Sequence, residues 1–462
     1  MKKLEKRAII CLALVAVLVA GLIFFVARLE KNGGTWATFY SNSHIYSNGK
    51  LSVGAVYDRN GKRLLKNTSD GVKYNSDELI RRANLHVTGD SGSNISTGAN
   101  VAFKSKMGGY NFVTGTNGLF GNGGSKVYLS VDAKVNREAY EALNGRNGLV
   151  GVYNYKTGEI VCMVSTPSYD PGENGENTLS DPLPGTYMNK LVSATLTPGS
   201  IFKLVTTAAA IENIENLDTW TYKCTGSLTM GADTITCPGV HGTVDIYGAL
   251  ANSCNCAYAT LASELGGDVL AQYAKSCGLT KSYDINGIKS TASSFNFDSD
   301  EVNVAWAGIG QFEDELNPLS MMVYVGSIAG GGKAANPTLL LDESLLAKGE
   351  KLIGKEASTA AAGTVKLLDS DTADQLSDMM RNNVKITYGD ENYSGLSLHA
   401  KSGTAEVGTG KAPNSWFCGF SGDYAFIVCV ENGGYGSSVA GPIANSALQY
   451  MKDEGYSIGS SS

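Results

Sequence analysis

Ser200 stands three residues before Lys203 in the stretch Thr197-Pro198-Gly199-Ser200-Ile201-Phe202-Lys203, and the apolar run Leu204 to Ile211 follows. Pro198 and Gly199 suit the entry to a helix. A helix there puts Ser200 on its first turn and Lys203 one turn later on the same face. Serine is a weak nucleophile until a base stands beside it, and an amine at this spacing comes within reach of the hydroxyl. The positive end of the helix also favours negative charge developing near Ser200. Taken alone, the same residues describe a capping serine next to a solvated lysine.

Two further groupings add polar side chains of the same chemistry. Ser253-Cys254-Asn255 lies between Val244–Ala251 and Tyr258–Leu265, both of which read as helices. Residues two apart do not share a helix face. Asn252 breaks the pattern, so Ser253 and Asn255 are expected on one side of a connecting loop. Lys401-Ser402-Gly403-Thr404 falls inside Leu396 to Val407, which reads as a strand. Alternation puts Ser402 and Thr404 on one side and Lys401 on the other, so Lys401 needs its long stem or a local twist to reach the same place. Gly403 removes a side chain where a substrate backbone could approach. Each grouping alone is also an ordinary surface feature.

The elements that must position these groups begin at Lys126. Lys126 to Val131 alternates as a strand, and Asp132 caps a helix running through Leu143. Leu149–Tyr155 and Glu159–Val164 read as strands joined by Lys156-Thr157-Gly158, and Trp416–Phe420 and Tyr424–Glu431 as a hairpin around Ser421-Gly422-Asp423. A helix over Pro442–Met451 follows. Strands at both ends with helices between predict an α+β fold, an antiparallel sheet packed against helices. Before Lys126 the chain reads as irregular. Val53–Leu65 suggests two short strands around Asn60-Gly61, Ser76–Leu85 a short helix, and Thr88–Gly124 a Gly/Ser/Asn-rich linker. These boundaries divide the chain into 1–31, 32–125, 126–456 and a tail, 457–462.

Residues 8–27 carry no charge, and Lys2, Lys3, Lys6 and Arg7 precede them. Twenty helical residues span about 30 Å, one bilayer core. The expectation is an uncleaved single-pass anchor with its N-terminus in the cytoplasm and the rest outside. A cleaved signal sequence would have a shorter apolar region and a small-residue cleavage site. The formal net charge of -7 argues against nucleic acid as a partner. With 18% charged and 43% hydrophobic residues, a disordered chain is excluded. Nine cysteines in 462 residues exclude a dense disulfide scaffold. Cys224 and Cys237 flank a hairpin around Met230-Gly231-Ala232-Asp233, which would bring them to bridging distance in an exported domain; two free thiols are the alternative. Cys224, Cys237 and His241 are zinc-type ligands, but no fourth is evident and no metal or other cofactor is expected.

In this order, the three groupings match the Ser-x-x-Lys, Ser-x-Asn and Lys-Thr/Ser-Gly set shared by penicillin-binding proteins and class A β-lactamases. The chain resembles the class B penicillin-binding proteins, membrane-anchored peptidoglycan D,D-transpeptidases, over roughly Lys126 to Met451. Val127-Tyr128-Leu129-Ser130-Val131-Asp132, Lys156-Thr157-Gly158-Glu159-Ile160, Ser165 to Pro171, Gly308-Ile309-Gly310-Gln311 with Asn317-Pro318-Leu319, and Trp416 to Phe420 carry the resemblance beyond the three motifs. Tyr57-Asp58-Arg59-Asn60-Gly61 resembles the family's opening, although this N-terminal region is short for the family. No glycosyltransferase-like region precedes the domain, unlike in the bifunctional class A relatives.

The resemblance implies an acyl-enzyme on Ser200, formed with release of the terminal D-Ala of a D-Ala-D-Ala stem peptide, and covalent binding of β-lactams. Lys203 is implied as base, Ser253 as proton relay backed by Lys401, and Asn255 as a peptide-holding group. Ser402, Gly403 and Thr404 would bind substrate, and the backbone N–H groups of Ser200 and Thr404 would form the oxyanion hole. A SEDS-type membrane glycosyltransferase is implied as a partner. Three rivals share features. A serine β-lactamase is suggested by Glu313-x-x-Leu316-Asn317, which matches a deacylating-glutamate pattern. A β-lactam sensor would need several membrane spans, and an inactive scaffold would not need every motif residue. The chain has four histidines, His44, His86, His241 and His399. His399, two residues before Lys401, is read as a strand residue with no catalytic role.

Overall fold

The computed structural model describes residues 2–39, 41, 45–112, 114–116, 124–297, 300–341 and 363–459. His44 and the end of the expected tail lie outside them. Helix α1 (Lys2–Ala37) contains the charge-free segment and is the one described helix long and apolar enough to cross a membrane. Apart from Leu29, its Leu, Ile, Val and Phe side chains are exposed. An unburied apolar surface all round a helix of this length suits lipid rather than water.

A small mixed sheet follows, in the order β3-β2-β1-β4, from β1 (Ala55–Tyr57), β2 (Arg63–Thr68), β3 (Gly71–Tyr74) and β4 (Lys126–Tyr128). β1 and β4 are parallel, and their neighbours antiparallel. The segment expected as a linker is partly folded. Short helices cover Leu85–Thr88, Ala99–Ala102 and Lys104–Met107, and Ile95, Phe103 and Met107 are buried. These apolar residues are too few and too irregularly spaced to show a period, yet they suffice to seat single helical turns. The turn at Asp58-Arg59-Asn60 ties this region to the next. Asp58 accepts hydrogen bonds from the N–H groups of Asn60, Lys62 and Ala133, Asn60 donates to Asp132, and Arg59 pairs with Glu159 at 3.1 Å.

The second sheet has five antiparallel strands in the order β7-β8-β9-β5-β6. They are β5 (Gly148–Asn154), β6 (Ile160–Thr166), β7 (His399–Ala405), β8 (Asn414–Ser421) and β9 (Tyr424–Val430). The sheet is buried on both faces, so β5, β6, β8 and β9 are buried at every residue. Alternation still assigns the faces. Trp416, Cys418 and Phe420 enter one core, with α3 (Lys203–Asn213), α4 (Ile246–Ala251), α5 (Asn255–Leu265) and α6 (Pro318–Ala329). Phe417 enters the other, with α2 (Ala133–Leu143) and α7 (Gly436–Asp453). Asp132 caps α2, as expected, by accepting from the N–H groups of Lys134 and Val135. Helix α7 begins before Pro442 rather than at it. Proline leaves the carbonyl four residues back unpaired. That residue, Ser438, is exposed, which leaves its carbonyl open to solvent.

Candidate active site

Ser200 sits on a single 3-10 turn, Gly199–Ile201, and α3 starts at Lys203. The turn is wedged between two backbones. Gly199 has φ +56°, and a Cβ there would lie 2.6 Å from the carbonyl oxygen of Thr404. On its other side the Gly199 N–H donates to the Gly310 carbonyl at 2.7 Å. Trp416 Nε1 donates to the Thr197 carbonyl at 3.0 Å. A Cβ at Gly403 would meet Ile201 and the Pro198 carbonyl at 3.0 Å. Gly403 therefore serves close packing of the strand on the Ser200 turn, in addition to any access it gives a substrate. Ser200 is half-buried, and its hydroxyl makes no hydrogen bond to a described residue.

Lys203 is fully buried. Its Nζ donates to the Ser253 carbonyl at 2.7 Å, to Asn255 Oδ1 at 2.7 Å and to Ser253 Oγ at 3.2 Å. The amine is thus held by the second motif rather than by Ser200. Loss of water holds its pKa well below the ordinary lysine range, and the nearby Lys401 ammonium pushes the same way. Such an amine, free of a carboxylate, is equipped to take a proton from a neighbouring hydroxyl.

The loop Asn252–Cys254 joins α4 to α5, as expected from the break at Asn252, and Asn255 opens α5. Ser253 has φ +51°, a left-handed conformation that a side-chain-bearing residue adopts at a cost of roughly 1–3 kcal/mol. This turn presents both Ser253 oxygens to Lys203. Lys401 approaches from the other side, with Nζ 3.1 Å from Ser253 Oγ and 2.8 Å from the Ser402 carbonyl. Lys401 lies opposite Cys418 in the strand register and so shares its face, the one packed by α3 and α5. Of the two routes expected for its charge, the long stem carries it to the second motif, on the face away from Ser402 and Thr404, and no local twist is needed. Lys401 is fully buried, and burial lowers its pKa to about 7.

Ser402 and Thr404 point to the opposite side. Tyr388 donates to Ser402 Oγ at 3.0 Å and accepts the Ser402 N–H at 2.8 Å. Gly436 N–H donates to Thr404 Oγ1 at 3.2 Å. Nothing in sequence reasoning singled out Tyr388. It ends a five-residue π-helical turn, Val384–Tyr388, a rare irregularity that is frequent at functional sites but has no local sequence signature.

Glu313 is exposed and accepts a hydrogen bond from Asn296 at 2.7 Å. Asn317 caps α6 and donates to the carbonyls of Val192 and Ala194. The Glu-x-x-Leu-Asn match therefore describes a surface carboxylate and a helix cap. His399 Nδ1 contacts Ser377 and its ring stacks on Phe420, apart from the three motifs.

The bridge expected between Cys224 and Cys237 is not formed; both are free thiols. Cys224 pairs with Gly242 in the strand pair 221–224/242–245, while the hairpin 227–230/233–236 ends one residue before Cys237. Cys237 is thereby turned toward α5, its Sγ 3.6 Å from Cys254 and 3.3 Å from Cys256. A fourth group of ligand type that the sequence did not reveal stands here as well, because Cys254 lies beside Cys224, Cys237 and His241.

The penicillin-binding protein transpeptidase domain family matches residues 148–449. The chain is 28% identical over 371 residues to the peptidoglycan D,D-transpeptidase PbpA of Mycolicibacterium smegmatis, covering 72% of this chain and 73% of that one. Among solved structures, penicillin-binding protein A of Mycobacterium tuberculosis superposes with a TM-score of 0.73 at 23% identity, over 86% of this chain and 99% of that one. The same protein, solved as a penicillin G acyl-enzyme, gives 0.69 at 22% identity, over 86% and 99%. With a two-thirds match to the transpeptidase domain laid over a cleft built from all three of its motifs, the chain belongs to the class B penicillin-binding proteins.

Proposed function

We propose that Ser200 is the acylated nucleophile of this peptidoglycan D,D-transpeptidase. The observation that carries the reading is the Lys203 amine, buried, unpaired with any carboxylate and held at 2.7 Å by both Ser253 and Asn255. Neutral Lys203 takes the Ser200 proton as Oγ attacks the carbonyl carbon of the penultimate D-Ala. The carbonyl oxygen turns into the N–H groups of Ser200 and Thr404. The C–N bond to the terminal D-Ala then breaks, and Ser253, between Lys203 and Lys401, relays a proton to the departing amine. An amine from a second stem peptide attacks the ester, forms the cross-link and returns the proton to Ser200. From the exposed edge of β7, where both stay half-buried, Ser402 and Thr404 bind the terminal carboxylate, Asn255 holds the peptide, and Gly403 lets the strand approach. β-Lactams acylate the same serine.

The division into anchor (1–31), short N-terminal region (32–125), catalytic domain (126–456) and tail (457–462) is part of this reading, as is an N-terminus on the cytoplasmic side. The basic residues before the apolar segment support that orientation. A SEDS-type glycosyltransferase is the proposed partner, on the support of family membership. Labelling with a fluorescent penicillin followed by peptide mapping tests the core assignment. The label is expected on Ser200 and lost in Ser200→Ala, and label on another serine would overturn it.

A further inference from the structure

Four side chains from three separate pieces of chain converge beside the second motif. Cys224 ends one strand of the pair 221–224/242–245, and His241 directly precedes the other. Cys237 follows the 227–236 hairpin, and its N–H donates to the Gly226 carbonyl at 2.9 Å. Cys254 is the middle residue of Ser253-Cys254-Asn255. The three sulfurs and an imidazole nitrogen all lie within 4.8 Å of one another. Cys224 and Cys254 are buried, while Cys237 and His241 are half-buried.

Two observations give the cluster a purpose. Sulfurs bound to one tetrahedral zinc at about 2.3 Å sit roughly 3.8 Å apart; Cys237 and Cys254 are 3.6 Å apart. His241 Nδ1 is shielded from solvent and has no hydrogen-bond partner. A buried ring nitrogen without a partner is destabilising unless something binds it. Three thiolates and an imidazole suit a soft or borderline ion and repel none of the requirements of Zn²⁺, whereas Mg²⁺ and Ca²⁺ seek oxygen.

The geometry points to a structural zinc site formed by Cys224, Cys237, His241 and Cys254. Four protein ligands leave no coordination position for water or substrate, so the ion does no hydrolysis. Binding converts three thiols to thiolates and releases three protons. Its consequence lies one residue away on each side. Ser253 and Asn255 flank a ligand, and both hold the Lys203 amine. The ion would fasten the strands of 221–245 to this loop and keep Ser253 in its left-handed turn. That effect on catalysis rests on the transpeptidase reading of the site; the binding itself does not.

The full-length protein, purified in detergent without chelator, tests this by elemental analysis. About one zinc per chain is expected, with loss in Cys224→Ser and His241→Ala and retention in Cys256→Ser, whose sulfur is a neighbour but not a ligand. Chelation of the wild type should free three thiols to a thiol reagent and slow penicillin labelling at least tenfold, with recovery on adding Zn²⁺. If Cys224→Ser does not fold, the wild-type metal content and the chelation series decide alone. Wild-type protein without metal above background would overturn the site, whether its thiols are free or Cys237 is bridged to Cys254 or Cys256 by non-reducing peptide mapping. Zinc present with labelling unaffected by its removal would overturn the coupling to the loop. Zinc present with no penicillin labelling under any condition would leave the metal site standing and sink the transpeptidase reading.

Discussion

Four cationic side chains are buried among the described residues, and they fall into two pairs that the protein treats differently. Arg59 lies between the small N-terminal sheet and the catalytic domain, 3.1 Å from the Glu159 carboxylate. Lys190 is likewise matched by Glu431. Lys203 and Lys401, in the cleft, meet only neutral acceptors, a hydroxyl, an amide oxygen and backbone carbonyls. Charge taken from water into a protein must be paired or given up. At Arg59 it is paired, and the result is a fixed joint. At Lys203 it is given up, since burial and the neighbouring Lys401 hold its pKa well below the ordinary range, and at Lys401, lowered by burial to about 7, it is kept only in part at neutral pH. A lysine without its proton is a base. The same physical cost therefore makes a joint in one region and reactivity in the other, according to whether a carboxylate was supplied.

Breaking the comparison on its reactive side should have the largest effect. Lys203→Met keeps the buried volume and removes the amine; acylation by penicillin should fall by about 10²–10⁴, as for a lost general base. A rate within threefold of wild type would show that another group takes the Ser200 proton.

On the structural side, Arg59→Met leaves Glu159 buried and alone. Unfolding measurements should register a loss of roughly 3–5 kcal/mol. Acylation per folded molecule should be unchanged, because Arg59 touches no motif residue. Equal losses in stability and in acylation would erase the distinction between the two regions.

Lys401 sharpens it through pH. Its pKa is lowered in the fold relative to the unfolded chain, so the native state binds fewer protons between about 7 and the ordinary lysine value near 10.5. Stability from this group is full above 10.5 and is lost as pH falls toward 7. Wild type should thus carry a penalty at neutral pH that Lys401→Met does not. Denaturant titration at pH 7 should find the variant more stable by on the order of 1–4 kcal/mol, with the gap closing toward pH 10, while acylation drops. A pH-independent gap would mean that Lys401 keeps its charge.

Glu313→Gln should be the smallest effect. Glu313 is exposed and engaged by Asn296, so release of the penicilloyl group should stay within twofold of wild type and remain slow, on the scale of minutes to hours. Fast penicillin turnover that collapses in this variant would make the chain a β-lactamase.

What the sequence disclosed followed from how local each signal is. Ser200 and Lys203 lie one turn apart, and Ser253 and Asn255 flank a single residue, so type and spacing expose them directly. The central strands are apolar on both faces and were legible as runs, with ends that differ by at most three residues. Tyr388 was not legible, because its partner Ser402 arrives on a different element and a π-helical turn leaves no periodic trace. The helices between Leu85 and Met107 are one turn each, below the length at which a 3.6-residue period can be counted. The thiol cluster was half visible. Cys224, Cys237 and His241 stood close in sequence, but Cys254 was absorbed into its motif. Its second environment depends on the pairing of residues 221–224 with 242–245, which no local pattern specifies.

The order of strands has a consequence for the making of the protein. Gly151 of β5 pairs with Ile427 of β9. At a synthesis rate of about 5–20 residues per second, roughly 15–55 s pass between the two leaving the ribosome. Throughout that interval β5 has β6 on one edge and an open row of backbone groups on the other, a template for wrong pairing. The turn bearing Ser200 waits as well, since the strand it is wedged against, 399–405, is still to come. A chain interrupted between Lys203 and His399 has its serine and its first lysine but no cleft. On the proposed reading of Ser200 as nucleophile, reactivity toward an activated amide is therefore withheld until the strand at 399–405 has been made and paired.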